Sequence, residues 1–379
     1  MALEHGTNGF RRGLFCASSA LAVYVFASGR QGMAVPRATA EPAGLTEVEE
    51  GLVMNVVIPD WAAVRTAWQF LKRHFAPTRL ILAPSLTRDD GAGVYLKVES
   101  ELPTGSFKVR GAVYALHAEM ARRPVAEVVA SSTGNHGAAV AWAAKSIGIP
   151  AKIFLPSGAN PAKQSRIRAL GAEIVEHGKD ISEAAEAAEQ YTRNGHAFFL
   201  NDATNSDVPA GTATIACEIF EQLPEVAAVW VPMGDTALIR GVASAAKHLR
   251  PEIRVVGVQA ERAPSYYLSW KRGVPVPTST CDTVADGLAT RTPIRESVTA
   301  IRALVDEVRL VTETQMLGAI RHLLTEEHLV AEPAGAATTA ACIADSFATR
   351  QGPLVLLLTG ANISDVVLRQ AVEFGESRR

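Results

Sequence analysis

The segment "TGSFKVRGA", Thr104 to Ala112, places Lys108 between two apolar residues and among small ones. Most lysines are solvated surface charges. Here Gly105, Ser106 and Gly111 leave room for a flat molecule to approach the amine. A lysine reacts as a nucleophile or base only while it is neutral, a state that desolvation and surrounding cationic character favour. The segment therefore predicts that Lys108 is a reactive amine.

Helix-like and strand-like stretches alternate on both sides of this segment. Upstream, "IPDWAAVRTAWQFLKRHF" (58–75) has apolar residues at helical spacing, and "GVYLKVES" (93–100) is typical of a strand. Between residues 125 and 200, four strand-like runs alternate with three helix-like runs, with Gly or Pro at the boundaries. Continuous apolar runs such as "PLVLLLT" (353–359) are typical of strands buried on both faces. The pattern predicts an α/β fold with parallel sheets covered by helices.

The composition is that of a soluble globular protein. The 379 residues include 37 Lys and Arg against 39 Asp and Glu, for a formal net charge of -2. Because this balance provides no basic field for nucleic acid or anionic lipid, we expect a small-molecule partner and no membrane partner for the mature domain. Cys16, Cys217, Cys281 and Cys342 lack the spacing of a zinc site or disulfide framework, and we expect them to be buried apolar residues.

The first fifty residues differ from the rest. Arginines at 11 and 12 precede the apolar run 13–28, and the small-x-small site "ATA" follows at 38–40. This order is typical of a secretory signal and similar to a twin-arginine signal, while the run is short for a membrane span. Alternatively, the translation start has been assigned too far upstream, and the segment is not part of the protein. Residues 1–53 are therefore predicted to be an extension of one of these two kinds, and the protein is expected to be cytoplasmic unless it is exported.

Three more segments of small and polar residues follow predicted strands. They are "SSTGNHG" at 131–137, "VPMGDTALIRG" at 231–241 and "LLLTGAN" at 356–362. Open α/β sheets bind ligands at such strand ends. In the first of them, a helix starting near Asn135 would present amides and hydroxyls to an anion, although a cluster of helix-capping Ser and Thr has the same pattern.

With these motifs together, the sequence resembles the fold type II family of pyridoxal-phosphate enzymes, nearest to the threonine and serine dehydratases and the serine racemases. The resemblance implies two interleaved domains with open, mostly parallel sheets covered by helices, as in the tryptophan synthase β fold. Residues 54–126 and 208–375 would form the large cofactor-binding domain, and residues 127–207 the small domain that carries the asparagine loop. The resemblance also implies pyridoxal 5′-phosphate as the cofactor and an amino acid as the substrate. Since relatives are commonly dimers, a homodimer is the candidate assembly.

The resemblance assigns a role to each matching residue. Lys108 would hold the cofactor as a Schiff base and, once freed, take the substrate α-proton, and Thr133 is a candidate second acid or base. The substrate would be bound by Ser131, Ser132, Thr133, Asn135, His136 and Gly287. Asn135 would contact the ring oxygen of the cofactor, and Thr359 would contact its ring nitrogen. The cofactor phosphate would be contacted by Gly234, Asp235, Thr236, Ala237 and Leu238.

The predicted phosphate loop departs from the family pattern. Relatives usually have a run of glycines, whereas this chain keeps Gly234 and continues with "DTA". Because a phosphate dianion would repel a carboxylate, Asp235 is expected to point outward or to cap the following helix. Arg240, one turn into that helix, either adds positive charge to this loop or is solvated, and the solvated state is the expected one.

Two other positions bear on the site. Glu332, in "EPAGAA", either lines the pocket or caps a helix. Some relatives bind a divalent cation, but Tyr267 stands where one of its carboxylate ligands is expected. Since hard cations need several oxygen ligands, the sequence predicts no such metal site.

The predicted function is β-elimination of water from a β-hydroxy amino acid such as L-threonine or L-serine, which yields a 2-oxo acid and ammonia. One alternative is an amino-acid racemase that uses Thr133 on the opposite face of the substrate. A second is a non-catalytic protein that only binds the cofactor. β-Replacement is less favoured, because "GNHG" differs from the loop of those enzymes.

Overall fold

The computed structural model describes residues 58–87, 92–159, 161–193, 195–345 and 352–374. The predicted N-terminal extension, residues 1–53, and with it Cys16, lies outside these ranges. Within them, no helix is both long enough and apolar enough to cross a membrane.

The strands of the described ranges form two separate sheets. In chain order they are β1 Leu80–Leu82, β2 Val94–Val98, β3 Glu127–Ser131, β4 Ala151–Leu155, β5 Glu173–Glu176, β6 Ala197–Phe199, β7 Ala228–Pro232, β8 Arg254–Ala260, β9 Glu307–Val311 and β10 Leu354–Leu358. One sheet has six strands in the order β1-β2-β10-β7-β8-β9, and the other has four in the order β5-β4-β3-β6.

The helices connect and cover these strands. They are α1 Trp61–Leu71, α2 Lys108–Arg122, α3 Asn135–Ile147, α4 Pro161–Ala169, α5 Ile181–Thr192, α6 Val208–Gln222, α7 Ala237–Leu249, α8 Ser265–Arg272, α9 Arg295–Leu304, α10 Glu313–Thr325, α11 Pro333–Ala344 and α12 Asp365–Glu373. Most of the predicted elements are present, and α6 begins three residues earlier than the sequence pattern indicates.

The pairing of the strands places the predicted site segments at one edge. All neighbours are parallel except β1, which runs antiparallel to β2. The last strand, β10, lies between β2 and β7, so the segments that follow these three strands emerge side by side. The chain that forms the four-stranded sheet is inserted between β2 and β7. The predicted α/β fold with mostly parallel sheets is confirmed.

The continuous apolar run of β10 is explained by burial on both faces. All five of its residues are buried. Leu354, Leu356 and Leu358 pack into the core that includes α10 and α11, whereas Val355 and Leu357 pack into the core that includes α6 and α7. Because side chains alternate along a strand, a central strand with helices on both sides needs apolar residues at every position.

Several elements were not predicted from the sequence, among them α2, α12 and the three that follow here. β1 has only three residues before Ala83-Pro84, which is too short for an alternation pattern. α8, "SYYLSWKR", is rich in aromatic residues that favour strands, yet it is helical. α9, "RESVTAIRAL", buries one face at Ser297, Val298, Ala300 and Ile301. Tertiary packing therefore decides the structure where the local pattern is short or mixed.

Candidate active site

A cavity of about 810 Å³ lies where the segments after β2, β3, β7 and β10 meet. This volume suits a cofactor together with a small substrate. Its walls include nearly all the predicted site residues, namely Lys108, Ser131, Ser132, Thr133, Asn135, His136, Gly234, Asp235, Thr236, Leu238, Gly287 and Thr359. Ala237 is the exception, because its side chain is buried behind the wall.

The position of Lys108 is set by the end of β10. The amide of Phe107 donates to the carbonyl of Thr359 at 3.0 Å, and the amide of Ala361 donates to the carbonyl of Gly105 at 3.0 Å. Gly105 has a φ of +68°, a left-handed conformation that glycine adopts without strain. This short antiparallel contact places Lys108 at the first position of α2, with its side chain at the cavity wall.

The ammonium of Lys108 lies between two carboxylates. Its Nζ atom donates to Oδ2 of Asp202 at 2.5 Å and to Oδ2 of Asp235 at 2.7 Å. Burial lowers the pKa of Lys108, but the two carboxylates outweigh it, and the net effect raises the pKa above its ordinary value. Both direct partners of the amine are therefore anionic, whereas cationic surroundings would favour its neutral form.

Asp235 points into the cavity, so the expectation that it points outward is wrong. Its Oδ1 atom accepts a hydrogen bond from the amide of Ala237 at 2.8 Å, at the start of α7, while Oδ2 accepts from Lys108. The carboxylate thus caps the helix, as the alternative expectation had it, and holds Lys108 at the same time. The ammonium of Lys108 offsets the negative charge that this turn brings into the wall.

Thr236 and Arg240 form a buried pair behind the predicted phosphate loop. Thr236 has a φ of 75°, the left-handed conformation that a glycine would adopt there more easily. Its Oγ1 atom accepts from Nε of Arg240 at 3.1 Å, and Nη2 of Arg240 donates to the carbonyl of Ala203 at 3.1 Å. Arg240 is fully buried, which lowers its pKa, so the expectation of a solvated arginine is wrong. The guanidinium supplies positive charge behind a loop that lacks the usual glycines.

Asn135 is held between two other polar side chains of the cavity wall. Its Nδ2 atom donates to Oε1 of Glu332 at 2.7 Å, and its Oδ1 atom accepts from Nδ2 of Asn362 at 2.6 Å. Nδ2 of Asn362 also donates to the carbonyl of Thr104 at 3.0 Å. Glu332 makes no side-chain cap bond to α11 and lines the cavity, which favours the first of its two predicted roles.

Asp202 is the main site residue that the sequence analysis missed. It lies just after β6, next to His136, whose Nδ1 atom is 3.6 Å from Oδ2 of Asp202. The other ring nitrogen of His136 bonds the carbonyl of Leu200 at 2.8 Å. Burial raises the pKa of Asp202, but His136 and Lys108 outweigh it and hold this pKa well below its usual range. No local pattern indicates this role, because it depends on the parallel pairing of β6 with β3, which places the two strand ends side by side.

Other residues of the cavity wall were also missed, and the expectation that all the cysteines are buried is wrong for Cys281. Arg166 of α4 and Asp286 line the cavity. Cys217 and Cys342 are buried as expected, whereas Cys281 is half-buried and lines the cavity. Among the described residues, no group of three or more His, Cys, Asp or Glu side chains is placed to hold a metal ion.

The residues of the cavity fit pyridoxal 5′-phosphate. Lys108 offers an amine for the aldehyde carbon, and the buried Oγ atom of Ser131 has no hydrogen-bond partner within the described ranges. A Cβ atom at Gly234 would collide with the carbonyl oxygen of Gly287, so only glycine lets the loop pack against the opposite wall. The positive charge of Arg240 behind this loop suits a phosphate group.

Comparisons with known proteins agree with this site. Residues 71–360 match the family model described as "Pyridoxal-phosphate dependent enzyme". The chain is 34% identical over 315 residues to an L-threonine ammonia-lyase of Geobacter sulfurreducens, covering 83% of this chain and 78% of that protein. It is 35% identical over 312 residues to an L-threonine ammonia-lyase of Thermotoga maritima, covering 82% and 78%.

Solved structures show the same architecture. Maize serine racemase superposes with a TM-score of 0.78 at 27% identity, covering 85% of this chain and 99% of that one. The processed form of threonine deaminase isoform 2 from Solanum lycopersicum superposes with a TM-score of 0.77 at 28% identity, covering 84% and 90%. The predicted resemblance to this branch of the fold type II enzymes is thereby confirmed. The chain belongs to the pyridoxal-phosphate dependent enzyme family, and pyridoxal 5′-phosphate is its cofactor.

Proposed function

We propose that the protein is an ammonia-lyase that eliminates water from a β-hydroxy amino acid such as L-threonine or L-serine and releases a 2-oxo acid and ammonia. The observation that carries the proposal is the position of Lys108, whose amine faces a cavity bordered by the asparagine loop and the predicted phosphate loop. The relatives named L-threonine ammonia-lyase support the substrate class.

The cofactor supplies an electron sink for the carbanion at the substrate α-carbon. We assign its attachment to Lys108, its ring oxygen to Asn135 and its ring nitrogen to Thr359. The phosphate is assigned to the turn that comprises Gly234, Asp235, Thr236, Ala237 and Leu238. Two observations support this turn, namely the close packing of Gly234 against the backbone of Gly287 and the buried charge of Arg240 behind it.

The substrate carboxylate is assigned to the loop at the start of α3. Ser132 and Thr133 precede the helix, and the amide of Gly134 donates to Oγ of Ser132 at 3.2 Å. Ser131, Asn135, His136 and Gly287 are also assigned to the substrate, and all four line the cavity. Once the substrate is bound, Lys108 takes the α-proton, a step worth on the order of 10² to 10⁴ in rate. Thr133 lines the same cavity, and a second proton transfer from it would give racemisation instead.

The direct test is an assay of the purified protein, loaded with its cofactor, with L-threonine and L-serine. We expect release of 2-oxobutanoate and pyruvate, and none from the Lys108→Ala variant. Lys271→Ala is the matched control, because Lys271 lies on α8 and does not line the cavity. Formation of D-serine without pyruvate would replace the lyase assignment by a racemase, and failure of both reactions would favour the non-catalytic alternative.

We also propose that residues 127–207 form the small domain and that residues 54–126 and 208–375 form the large one. The support is that each sheet draws its strands from only one of these sets. The homodimer and the cytoplasmic location stay predictions. Light scattering of the purified protein would measure its molar mass directly.

A further inference from the structure

The amine of Lys108 lies in a cluster with more negative than positive charge. Asp202 and Asp235 both contact the same Nζ atom, at 2.5 Å and 2.7 Å. The three side chains are only 14% to 24% exposed. Two carboxylates of low exposure that share one cation repel each other as soon as that cation loses its charge.

The other charged side chains of the cavity wall do not offset this excess of negative charge. Within the part of the chain that the structure describes, the charged side chains of the wall other than histidine are two cations and four carboxylates, namely Lys108, Arg166, Asp202, Asp235, Asp286 and Glu332. His136 faces Asp202 at 3.6 Å, and Arg240 lies behind the wall, bonded to Thr236 and Ala203. A cofactor phosphate and a substrate carboxylate add further negative charge. The site therefore favours a ligand that brings a cation.

The proposed reaction creates a conflict at this cluster. Lys108 must be neutral to take the α-proton, but its neutralisation removes the cation that Asp202 and Asp235 share. Burial lowers the pKa of Lys108, but the two carboxylates raise it by more, and the net rise opposes the neutral form. A substrate whose own ammonium group sits between the carboxylates removes the conflict, because Lys108 is then free to be neutral.

An ammonium group on the β-carbon of the substrate would lie close to these two carboxylates. A base that takes the α-proton stands about 3 Å from its target. Asp202 and Asp235 contact that base at 2.5 Å and 2.7 Å, so their carboxylates border the space that the substrate α-carbon and its substituents would occupy. We propose that Asp202 and Asp235 form a cation subsite, and that the enzyme also eliminates ammonia from α-amino acids with an ammonium group on Cβ, of which 2,3-diaminopropanoate is the smallest.

The charge of the cluster stays constant through this reaction. The Cα–H bond breaks and its proton moves to Nζ of Lys108, while the Cβ–N bond breaks and its electron pair leaves with nitrogen as neutral ammonia. The cation between the carboxylates is the substrate ammonium before the step and the Lys108 ammonium after it. Hydrolysis of the enamine product then completes the balance: 2,3-diaminopropanoate and water give pyruvate and two molecules of ammonia.

A hydroxyl leaving group gains less from these two residues. Hydroxide is a poor leaving group unless it receives a proton, and the low pKa of Asp202 keeps this carboxylate ionised at neutral pH, so it has no proton to give. An ammonium group already carries its proton. The inference rests on the proposed β-elimination, since it uses the same lysine and the same cavity.

The first test compares kcat/KM for L-2,3-diaminopropanoate and L-serine in the wild type, Asp202→Asn and Asp235→Asn. We expect the wild type to favour the diamino acid. Each asparagine variant should lose about 10- to 100-fold in the ratio of kcat/KM for the diamino acid to kcat/KM for serine, as removal of a charge-assisted hydrogen bond predicts. Asp282→Asn is the matched control, since Asp282 is exposed and does not line the cavity, and it should leave both values unchanged.

A binding measurement tests the subsite without turnover. L-2,4-Diaminobutanoate and L-homoserine differ only in carrying an ammonium or a hydroxyl group on Cγ, so neither can lose that group from Cβ. Calorimetry with the wild-type holoenzyme should show the diamino acid binding about tenfold more tightly, and this preference should vanish in Asp202→Asn. The wild-type comparison decides the point even if a variant does not fold.

The outcomes separate this inference from the proposed function. Turnover of serine with no turnover of 2,3-diaminopropanoate, or equal binding of the two Cγ compounds, would overturn the cation subsite and leave the lyase assignment in place. Absence of turnover for every substrate would overturn both. Turnover of the diamino acid that is lost selectively in the two variants would support both.

Discussion

Two clusters of charged side chains flank the start of α2, and they differ in whether their positive and negative charges are equal in number. Lys108 shares its charge between Asp202 and Asp235, in side chains that are 14% to 24% exposed. Two residues along, Arg110 belongs to a second cluster whose side chains are at most 2% exposed. We refer to Lys97, Glu99, Arg110 and Glu218 as the buried network.

The buried network has two cations and two carboxylates, joined at short distances. Nε of Arg110 contacts Glu99 at 2.7 Å, Nη1 contacts Glu218 at 2.7 Å, and Lys97 contacts Glu218 at 2.6 Å. Nζ of Lys97 also donates to the carbonyl of Thr78 at 2.8 Å. Every charge is thus paired inside the protein, which is the condition under which buried charges persist.

The difference assigns different tasks to the two clusters. The buried network is balanced without a ligand, so it serves structure: it fixes Arg110 and thereby the first turn of α2. The cluster at Lys108 has one cation for two carboxylates and opens onto the cavity, so its balance depends on what binds there. Charge imbalance beside a cavity therefore identifies the functional cluster better than burial does.

The largest expected effect comes from neutralising one carboxylate in each cluster with its isosteric amide. Glu218→Gln leaves the buried Arg110 and Lys97 with only Glu99 as an anionic partner, and we expect the free energy of unfolding to fall by about 3–5 kcal/mol. Asp235→Asn leaves one cation with one carboxylate in a partly exposed site, and the change should stay within about 1 kcal/mol. Denaturant unfolding of the apoenzyme measures both.

Similar losses in the two variants would show that the cluster at Lys108 is a structural ion pair like the other. The folded state of each variant is checked by the near-UV circular dichroism of the native protein. The surface variant Glu252→Gln, at a site with a side-chain exposure of 76%, sets the size of a change without structural consequence.

The two clusters also differ in how much of them could be read from the sequence. The apolar run of β10 and the small residues around Lys108 are local patterns, so the sequence predicted the strand and the reactive lysine. Arg110 and Glu218 are 108 residues apart, and nothing local indicates their contact. Asp202 resembles a turn residue in "LNDATN" until the pairing of β6 with β3 brings it to the cavity. Asp202 was missed, and the burial of Arg240 was mispredicted, because both depend on tertiary packing.

The pH dependence of stability gives a second, smaller difference. Burial raises the pKa of Glu218, but Arg110 and Lys97 outweigh it and lower this pKa. A carboxylate with a lowered pKa stabilises the folded state above its ordinary pKa of about 4.3, and this contribution is lost as the pH falls through the folded-state value. Because protonated Glu218 is similar to glutamine, the gap in unfolding free energy between the wild type and Glu218→Gln should shrink as the pH falls from about 7 to about 3.

Urea unfolding at several pH values checks this expectation, with Glu252→Gln as the reference. A gap that stays constant down to the lowest pH would mean that Glu218 contributes by shape and not by charge. The buried network would then not be the charge-balanced counterpart of the cluster at Lys108.

The smallest expected effect concerns the backbone beside the cavity. Thr236 and His328 both have a positive φ, of 75° and 56°, but only Thr236 accepts a hydrogen bond from Arg240. His328→Gly should stabilise the protein by about 0.5–1 kcal/mol through relief of strain. Thr236→Gly relieves similar strain but removes an acceptor from a buried guanidinium, so we expect its net change to be less favourable by about 1 kcal/mol. Thermal unfolding of the two variants measures the difference between their stabilities. Equal stabilisation by both would show that the contact between Thr236 and Arg240 contributes nothing to the folded state. A gap of the expected size would mean that this loop keeps a strained threonine because its hydroxyl holds the buried charge of Arg240 behind the proposed phosphate turn.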